Sequence, residues 1–274
     1  VCKDKLFRYN PDFFARRVHF IDHLAPIWKA LSPENKGTFY IPEKLVAYAR
    51  SLGLDNICGL RPLGSGVGTS SLKIRPPGKT PVVSCAYGDM EQAWHEYALR
   101  PLILMEHGVG LVFNHPGYAG GEGLRRRVSL FLTPNQNLYD KTYKTFPQAP
   151  QVIIGTPKMD AIEIRKPYRV DNPVIAISFH WDGSAVSPEA GNAFGYYNNI
   201  LPELTSKYRV IGHGHPKIID RLIPYYKRIG VLEIERNFSE IMRKCDIYIN
   251  DASSTLYEFS CTGKPVILLN APWF

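Results

Sequence analysis

The sequence is poor in every feature that marks a membrane-spanning, secreted or metal-dependent protein. Apolar runs end after about five residues, as in Pro101-Leu-Ile-Leu-Met105, whereas a helix crossing a bilayer needs roughly 20. The first residues mix Lys3, Asp4, Lys5 and Arg8 with isolated apolar side chains, which is no signal peptide. Five cysteines (Cys2, Cys58, Cys85, Cys245, Cys261) form no CxxC pair and no zinc-ligand spacing. That pattern predicts reduced, buried thiols in a cytoplasmic chain rather than a disulfide framework. DxD, HExxH and cysteine–histidine clusters are absent, so neither an obligatory metal nor a cofactor is expected. Low-complexity tracts and short repeats are missing too, which leaves an ordinary folded chain of one large domain or two smaller ones.

What is present is a basic balance and a repeating α/β pattern. Lys and Arg number 33 against 25 Asp and Glu, a net charge of +8. Such a surface favours nucleotides, nucleic acid, polyanions or the inner face of a membrane as partners, and charge alone does not choose among them. In the C-terminal half, Val174–Ser178, Tyr208–Ile211, Val231–Ile234, Asp246–Asn250 and Lys264–Leu269 read as strands. Helices are expected over Phe194–Lys207 (interrupted at Pro202), Ile218–Ile229, Phe238–Cys245 with Asn237 as its cap, and Ser254–Thr262 closed by Gly263.

The N-terminal half repeats the theme less regularly. Strands are expected at Pro81–Cys85, Leu102–Met105, Val128–Leu132 and Val152–Ile154, and helices at Pro42–Leu52, Met90–Leu99 and Asn137–Phe146. Arg61–Lys79 reads as a loop, and Ile164–Pro173 as the linker between domains 1–165 and 166–274. Strands alternating with helices predict parallel sheets covered on both faces, here as two Rossmann-like lobes flanking a cleft.

Parallel sheets gather ligands at the carboxyl ends of their strands. Those positions hold His107-Gly108, His180, His213-Gly-His215-Pro216 and Asp251-Ala-Ser253-Ser254-Thr255. Histidines there can move protons or bind anions, although any one of them can equally be a hydrogen-bonded structural group. The amides and hydroxyls that open the helix after Asp251 suit a phosphate, and Ser253 or Ser254 can at the same time serve as its cap. Glu258, one turn further on, is in reach of a ribose or is an ordinary exposed helical carboxylate. The glycine-rich stretch Gly117–Gly123, with Gly120 and Gly121, leads into Arg125-Arg126-Arg127; it reads as a phosphate or acceptor loop, or as a solvated basic turn.

Asp251-Ala-Ser-Ser-Thr-Leu-Tyr-Glu258 followed by Gly263-Lys-Pro-Val-Ile267 resembles the donor-binding signature of the CDP-glycerol glycerophosphotransferases, teichoic-acid polymerases and primases of GT-B fold. His107-Gly108 is similar to their N-lobe His-Gly, His215-Pro216 to their His-Pro, and Gly155-Thr-Pro157-Lys158-Met-Asp160 to a Gly-x-Pro-Arg-x-Asp segment, with Lys158 in place of arginine. The resemblance spans roughly residues 100–270. It implies a GT-B transferase that moves a glycosyl or glycerophosphoryl group from a nucleotide-diphosphate donor to a hydroxyl or polyanionic acceptor. His107 would then be the general base, with His215, Ser253 and Ser254 holding the donor pyrophosphate and His215 counted with His107 as catalytic; His213, Asp251, Thr255 and Glu258 are the further donor-side candidates read from their positions. It further implies C-terminal helices that this sequence does not contain. Alternatives are a glycosyltransferase acting on modified DNA bases, a non-hydrolysing sugar-nucleotide 2-epimerase, or a non-catalytic nucleotide- or nucleic-acid-binding module.

Overall fold

A computed structural model describes residues 10–61, 80–86, 88–90, 100–108, 125–161, 171–185 and 188–274. They form two compact units, the first within Val1–Gly108 and Gly121–Asp160, the second within Ala161–Phe274. The expected helix over 91–99, the loop over 62–79, the glycines Gly120 and Gly121, and most of the expected linker lie outside the described residues.

The first unit is a seven-stranded sheet built from β1 (Asp12–Phe14), β2 (Phe39–Pro42), β3 (Ile57–Leu60), β4 (Val82–Ser84), β5 (Leu102–Met105), β6 (Val128–Thr133) and β7 (Gln151–Ile153). Their order is β3-β2-β1-β4-β5-β6-β7, and each neighbouring pair is parallel. Helix α1 (Val18–Ala30) buries Phe20, Ile21, Leu24, Ala25 and Trp28, a stripe spaced as a 3.6-residue period requires. Trp28 meets Phe13 and Phe39 edge-on at ring-centre distances of 5.1 and 5.3 Å. Helix α2 (Val46–Ser51) is shorter than the stretch expected from Pro42, because Glu43–Leu45 forms a 3-10 turn first. Helix α3 (Gln136–Thr145) begins where the Asn135 side chain accepts from Leu138 N at 2.9 Å.

The second unit is a five-stranded sheet of β8 (Val174–Ser178), β9 (Arg209–Gly212), β10 (Glu233–Ile234), β11 (Ile247–Asn250) and β12 (Val266–Leu268). Its order, β10-β9-β8-β11-β12, is likewise all parallel. The single helix expected over 194–207 is instead α4 (Phe194–Tyr197), a 3-10 turn, and α5 (Leu201–Lys207). Pro202 stands at the start of α5, where its missing N–H costs nothing, so it opens a helix rather than kinking one. Helices α6 (Ile219–Arg228), α7 (Phe238–Lys244) and α8 (Thr255–Ser260) complete the layers. Asn237 caps α7 through Ser239 N at 2.9 Å. Among the described residues no helix is long and apolar enough to cross a membrane.

Both sheets run outward from their first strand and then reverse, so each has a switch point, at β1/β4 and at β8/β11. Loops leaving the two strands there diverge and open a crevice. Packing beside the second switch point is tight. A Cβ on Gly212 would lie 2.7 Å from Tyr226 and 2.8 Å from Ile234, and Tyr226 is fully buried with its hydroxyl donating to the His213 carbonyl at 2.8 Å. Gly212→Ala is therefore expected to cost about 1–3 kcal/mol from overpacking. Urea unfolding checks this; unchanged stability would mean that Tyr226 can give way.

Candidate functional site

At the second switch point one carboxylate ties the residues after β11 to those after β8, while the His213 and His215 amides after β9 donate to the Ile177 and Phe179 carbonyls at 2.8 and 3.0 Å. Asp251 is fully buried; one oxygen accepts from His180 N at 2.7 Å and the other from Ala193 N at 3.0 Å. Burial raises its pKa to about 6 even though both amides favour the anion. Asp251 thus braces the strand ends.

The histidines differ sharply in role. His213 is buried, and its Nδ1 lies 2.7 Å from the Glu235 carbonyl, so Nδ1 carries a proton to donate. His215 does the reverse, since its Nδ1 accepts from Lys217 N at 3.1 Å. The neutral ring therefore holds its proton on Nε2 and offers a donor there. His180 packs edge-on to His215 at 4.8 Å, and burial lowers its pKa to about 4. The Lys217 ammonium sits 3.6 Å above the centre of the Trp181 ring.

The serines divide as well. Ser253 is buried, accepting from Thr255 N at 3.3 Å and sharing a 2.9 Å bond with the Thr255 hydroxyl. Thr255 in turn meets the Tyr248 hydroxyl at 2.8 Å. Ser254 occupies the cap position of α8 but makes no capping bond with its side chain. Asn250, at the end of β11, is buried with its Oδ1 lacking a hydrogen-bond partner. Glu258 is 2% exposed, which overturns the ordinary reading of an exposed helical glutamate. The Gly263-Lys264 part of the motif is structural: Gly263 takes φ +74°, and Lys264 Nζ donates to the Met242 and Cys245 carbonyls at 2.8 and 2.6 Å, closing the end of α7.

In the first unit His107 follows β5 and is half-buried. Its ring lies 5.1 Å from Phe20, 5.8 Å from His23 and 6.5 Å from His19. Burial lowers the pKa of His19 to about 3 and drives that of His23 well down. Positive neighbours add to this: His107, Arg17 and Lys158 for His19, and Lys158, His107 and His19 for His23. Beside them Arg16 Nε donates to Asp89 at 2.6 Å and Arg16 N to its other oxygen at 3.0 Å. Burial raises the Asp89 pKa in spite of this pairing. Arg125, expected on a phosphate or acceptor loop or a solvated basic turn, is 8% exposed with its guanidinium 3.7 Å from Glu106. A buried guanidinium needs such a partner, which is why it leaves the solvated face.

His19, His23, Arg16 and Asp89 are absent from the expected site. The signal for the histidines was their i, i+4 spacing at the edge of the apolar stripe of α1. Among the described residues no three His, Cys, Asp or Glu side chains group as a metal site would require. Cys85 and Cys245 are buried, with their thiols pushed up by burial, Cys245 to about 12. Cys58 is half-buried and Cys261 exposed, which corrects the expectation of uniformly buried thiols.

No family model matches this chain, and no curated protein matches it. Solved structures do. The UDP-bound MnaA of S. aureus superposes with a TM-score of 0.63 at 13% identity, covering 95% of this chain and 79% of that one. The UDP-GlcNAc 2-epimerase of Neisseria meningitidis bound to UDP-GlcNAc gives 0.63 at 13%, covering 96% and 82%. The wall teichoic acid polymerase TagF soaked with CDPG gives 0.56 at 14%, covering 94% and 68%. At such identities the likeness shows the fold, which is α/β with the two parallel-sheet Rossmann-like units of the GT-B type.

Proposed function

We propose that the chain is a nucleotide-diphosphate-dependent transferase, moving a glycosyl or glycerophosphoryl group from an activated donor to a hydroxyl acceptor. The observation that carries this reading is the β8/β11 switch point. There Asp251 locks the ends of β8 and β11 together, the Lys217 amide sets the His215 ring as its Nε2–H tautomer, and β11 of the same sheet leads into Ser253 and Ser254. Such a set holds the diphosphate and stabilises the charge that grows on the leaving nucleotide, because its donors are fixed before the reaction starts. His213 and Thr255 support this set from behind, and Glu258 is assigned to the nucleoside side. His107 of the first unit takes the acceptor proton. No resident cofactor enters the reaction, and the chain is assigned to the cytoplasm.

Ser253→Ala combined with Ser254→Ala is expected to weaken binding of CDP or UDP by about 1–3 kcal/mol, the range for hydrogen bonds to a charged group. Calorimetry measures it, and undiminished affinity in the double variant would leave these serines a purely structural role.

A second reading, sugar-nucleotide 2-epimerisation, is favoured by the acid–base groups of the first unit. Asp89, Glu106, His19, His23 and His107 outnumber the single base that a transfer needs. Incubation with a UDP-sugar in heavy water separates the two, since only epimerisation places solvent deuterium on the sugar without any acceptor.

A further inference from the structure

We propose that Arg16, Arg17, His19, His23 and Lys158 form an oxyanion site in the first unit, which takes a phosphate group carried by the acceptor. The site stands on the geometry of the first unit; assigning its phosphate to the acceptor rests on the transferase reading above.

Arg16 leaves the end of β1 at the switch point. Asp89 accepts from both its backbone N–H and its Nε, so the guanidinium plane is fixed before any ligand arrives. The carboxylate is 1% exposed, while the Arg16 side chain keeps 25% exposure. Gly88 provides the room, because a Cβ there would lie 3.0 Å from Arg16 Nη2. A fork held by one edge and open at the other is suited to a phosphate or carboxylate oxygen pair.

The neighbouring groups have the same sign or are uncharged. His19 and His23 lie one turn apart on α1, with their rings 6.5 and 5.8 Å from that of His107. Arg17 and Lys158 act on His19, and Lys158 acts on His23. The described carboxylates nearby are engaged, Asp89 with Arg16 and Glu106 with Arg125. Phosphate fits better than carboxylate here. It carries up to two charges and three acceptor oxygens, and its second ionisation falls near neutral pH. Burial together with these cations holds both imidazoles uncharged. The fixed charge that receives the anion is therefore that of Arg16, Arg17 and Lys158, with the two imidazoles as neutral hydrogen-bonding groups.

The test is calorimetric titration of the whole chain with inorganic phosphate, and separately with CDP and UDP. Arg16→Gln and Lys158→Gln should each weaken phosphate binding about tenfold, as loss of a charge-assisted bond does, and leave nucleoside diphosphate binding unchanged. Ser253→Ala/Ser254→Ala should do the opposite. Should Arg16→Gln fold poorly with Asp89 left unpaired, Arg16→Gln/Asp89→Asn removes both charges and keeps the test open. The proposal is overturned if phosphate does not bind the wild type, or if its binding ignores Arg16 and Lys158. It is equally overturned if these substitutions weaken CDP and UDP as much as phosphate, which would make the cations part of the donor site. If neither CDP nor UDP binds the wild type, the transferase reading fails and the phosphate titration still judges the site.

Discussion

Replacing His107 by alanine is expected to lower turnover by roughly 10²–10⁴, the usual contribution of a general base, while donor affinity stays within a few fold. A base acts in the transition state, so its loss should appear in kcat rather than in ground-state binding. The position suits the task. His107 follows a strand end at the carboxyl edge of the sheet, with Phe20 against its ring at 5.1 Å and His23 at 5.8 Å. A packing role predicts a different outcome, in which stability falls and the activity of the folded fraction is kept. Thermal unfolding run beside single-turnover kinetics separates the two. Free imidazole should restore part of the rate to the alanine variant if a proton acceptor is what was lost. A folded variant with wild-type turnover would remove His107 from the chemistry.

How much of this could be read in the sequence follows from where the strands lie. Val174–Ser178 and Leu102–Met105 are central strands buried on both faces, and their continuous apolar runs give them away to the residue. Residues 10–42 carry two strands and the longest described helix of the first unit, yet offer no comparable run. β1 begins with Asp12, whose carboxylate binds Arg100 and accepts from Thr38 N at 2.7 Å. The stripe of α1 is interrupted by Pro26. Both features look like breaks until tertiary partners are known. The hidden part of the site has the same origin, because His19 and His23 gain meaning only once β5 brings His107 against α1.

The second unit was more legible in its elements than in the roles of its residues. Spacing placed His213 and His215 together, but only the carbonyl of Glu235 and the amide of Lys217 give the two rings opposite tautomers. Ser254 sits where a cap belongs and does not cap, while Ser253 joins a hydroxyl chain with Thr255 and Tyr248. Lys264 lies in the resembling motif because a helix end needs it. A motif therefore mixes ligand-facing and scaffold residues, and hydrogen-bond partners distinguish them.

Asp251 is where scaffold and site meet, and its replacement is expected to give the largest loss of stability. Asp251→Ala leaves the His180 and Ala193 amides without acceptors in a buried setting. At about 1–3 kcal/mol for each orphaned donor, the cost is roughly 2–6 kcal/mol, and nucleotide binding should fall with it as the β8 and β11 ends come apart. Asp251→Asn is the sharper probe. It keeps the shape and one acceptor oxygen but faces the second amide with an NH2, so at neutral pH it should be about 1–3 kcal/mol less stable than wild type. The gap should then change with pH in a defined direction. The folded pKa of Asp251 is raised from 3.8 to about 6, chiefly by burial. A raised folded pKa means that the group's contribution is complete below its unfolded pKa and is lost as pH rises through the folded one. Wild type should therefore gain stability from this group on acidification from about pH 6 to about pH 4, by on the order of 2–3 kcal/mol. The asparagine variant cannot, so the gap between the two should widen over that window. His19, His23 and His180, with lowered pKa values, pull the other way in both proteins and cancel in the difference. Urea unfolding of the pair across this range reads the gap directly. A gap that narrows on acidification would show that the two backbone donors outweigh burial and that Asp251 is held as an anion.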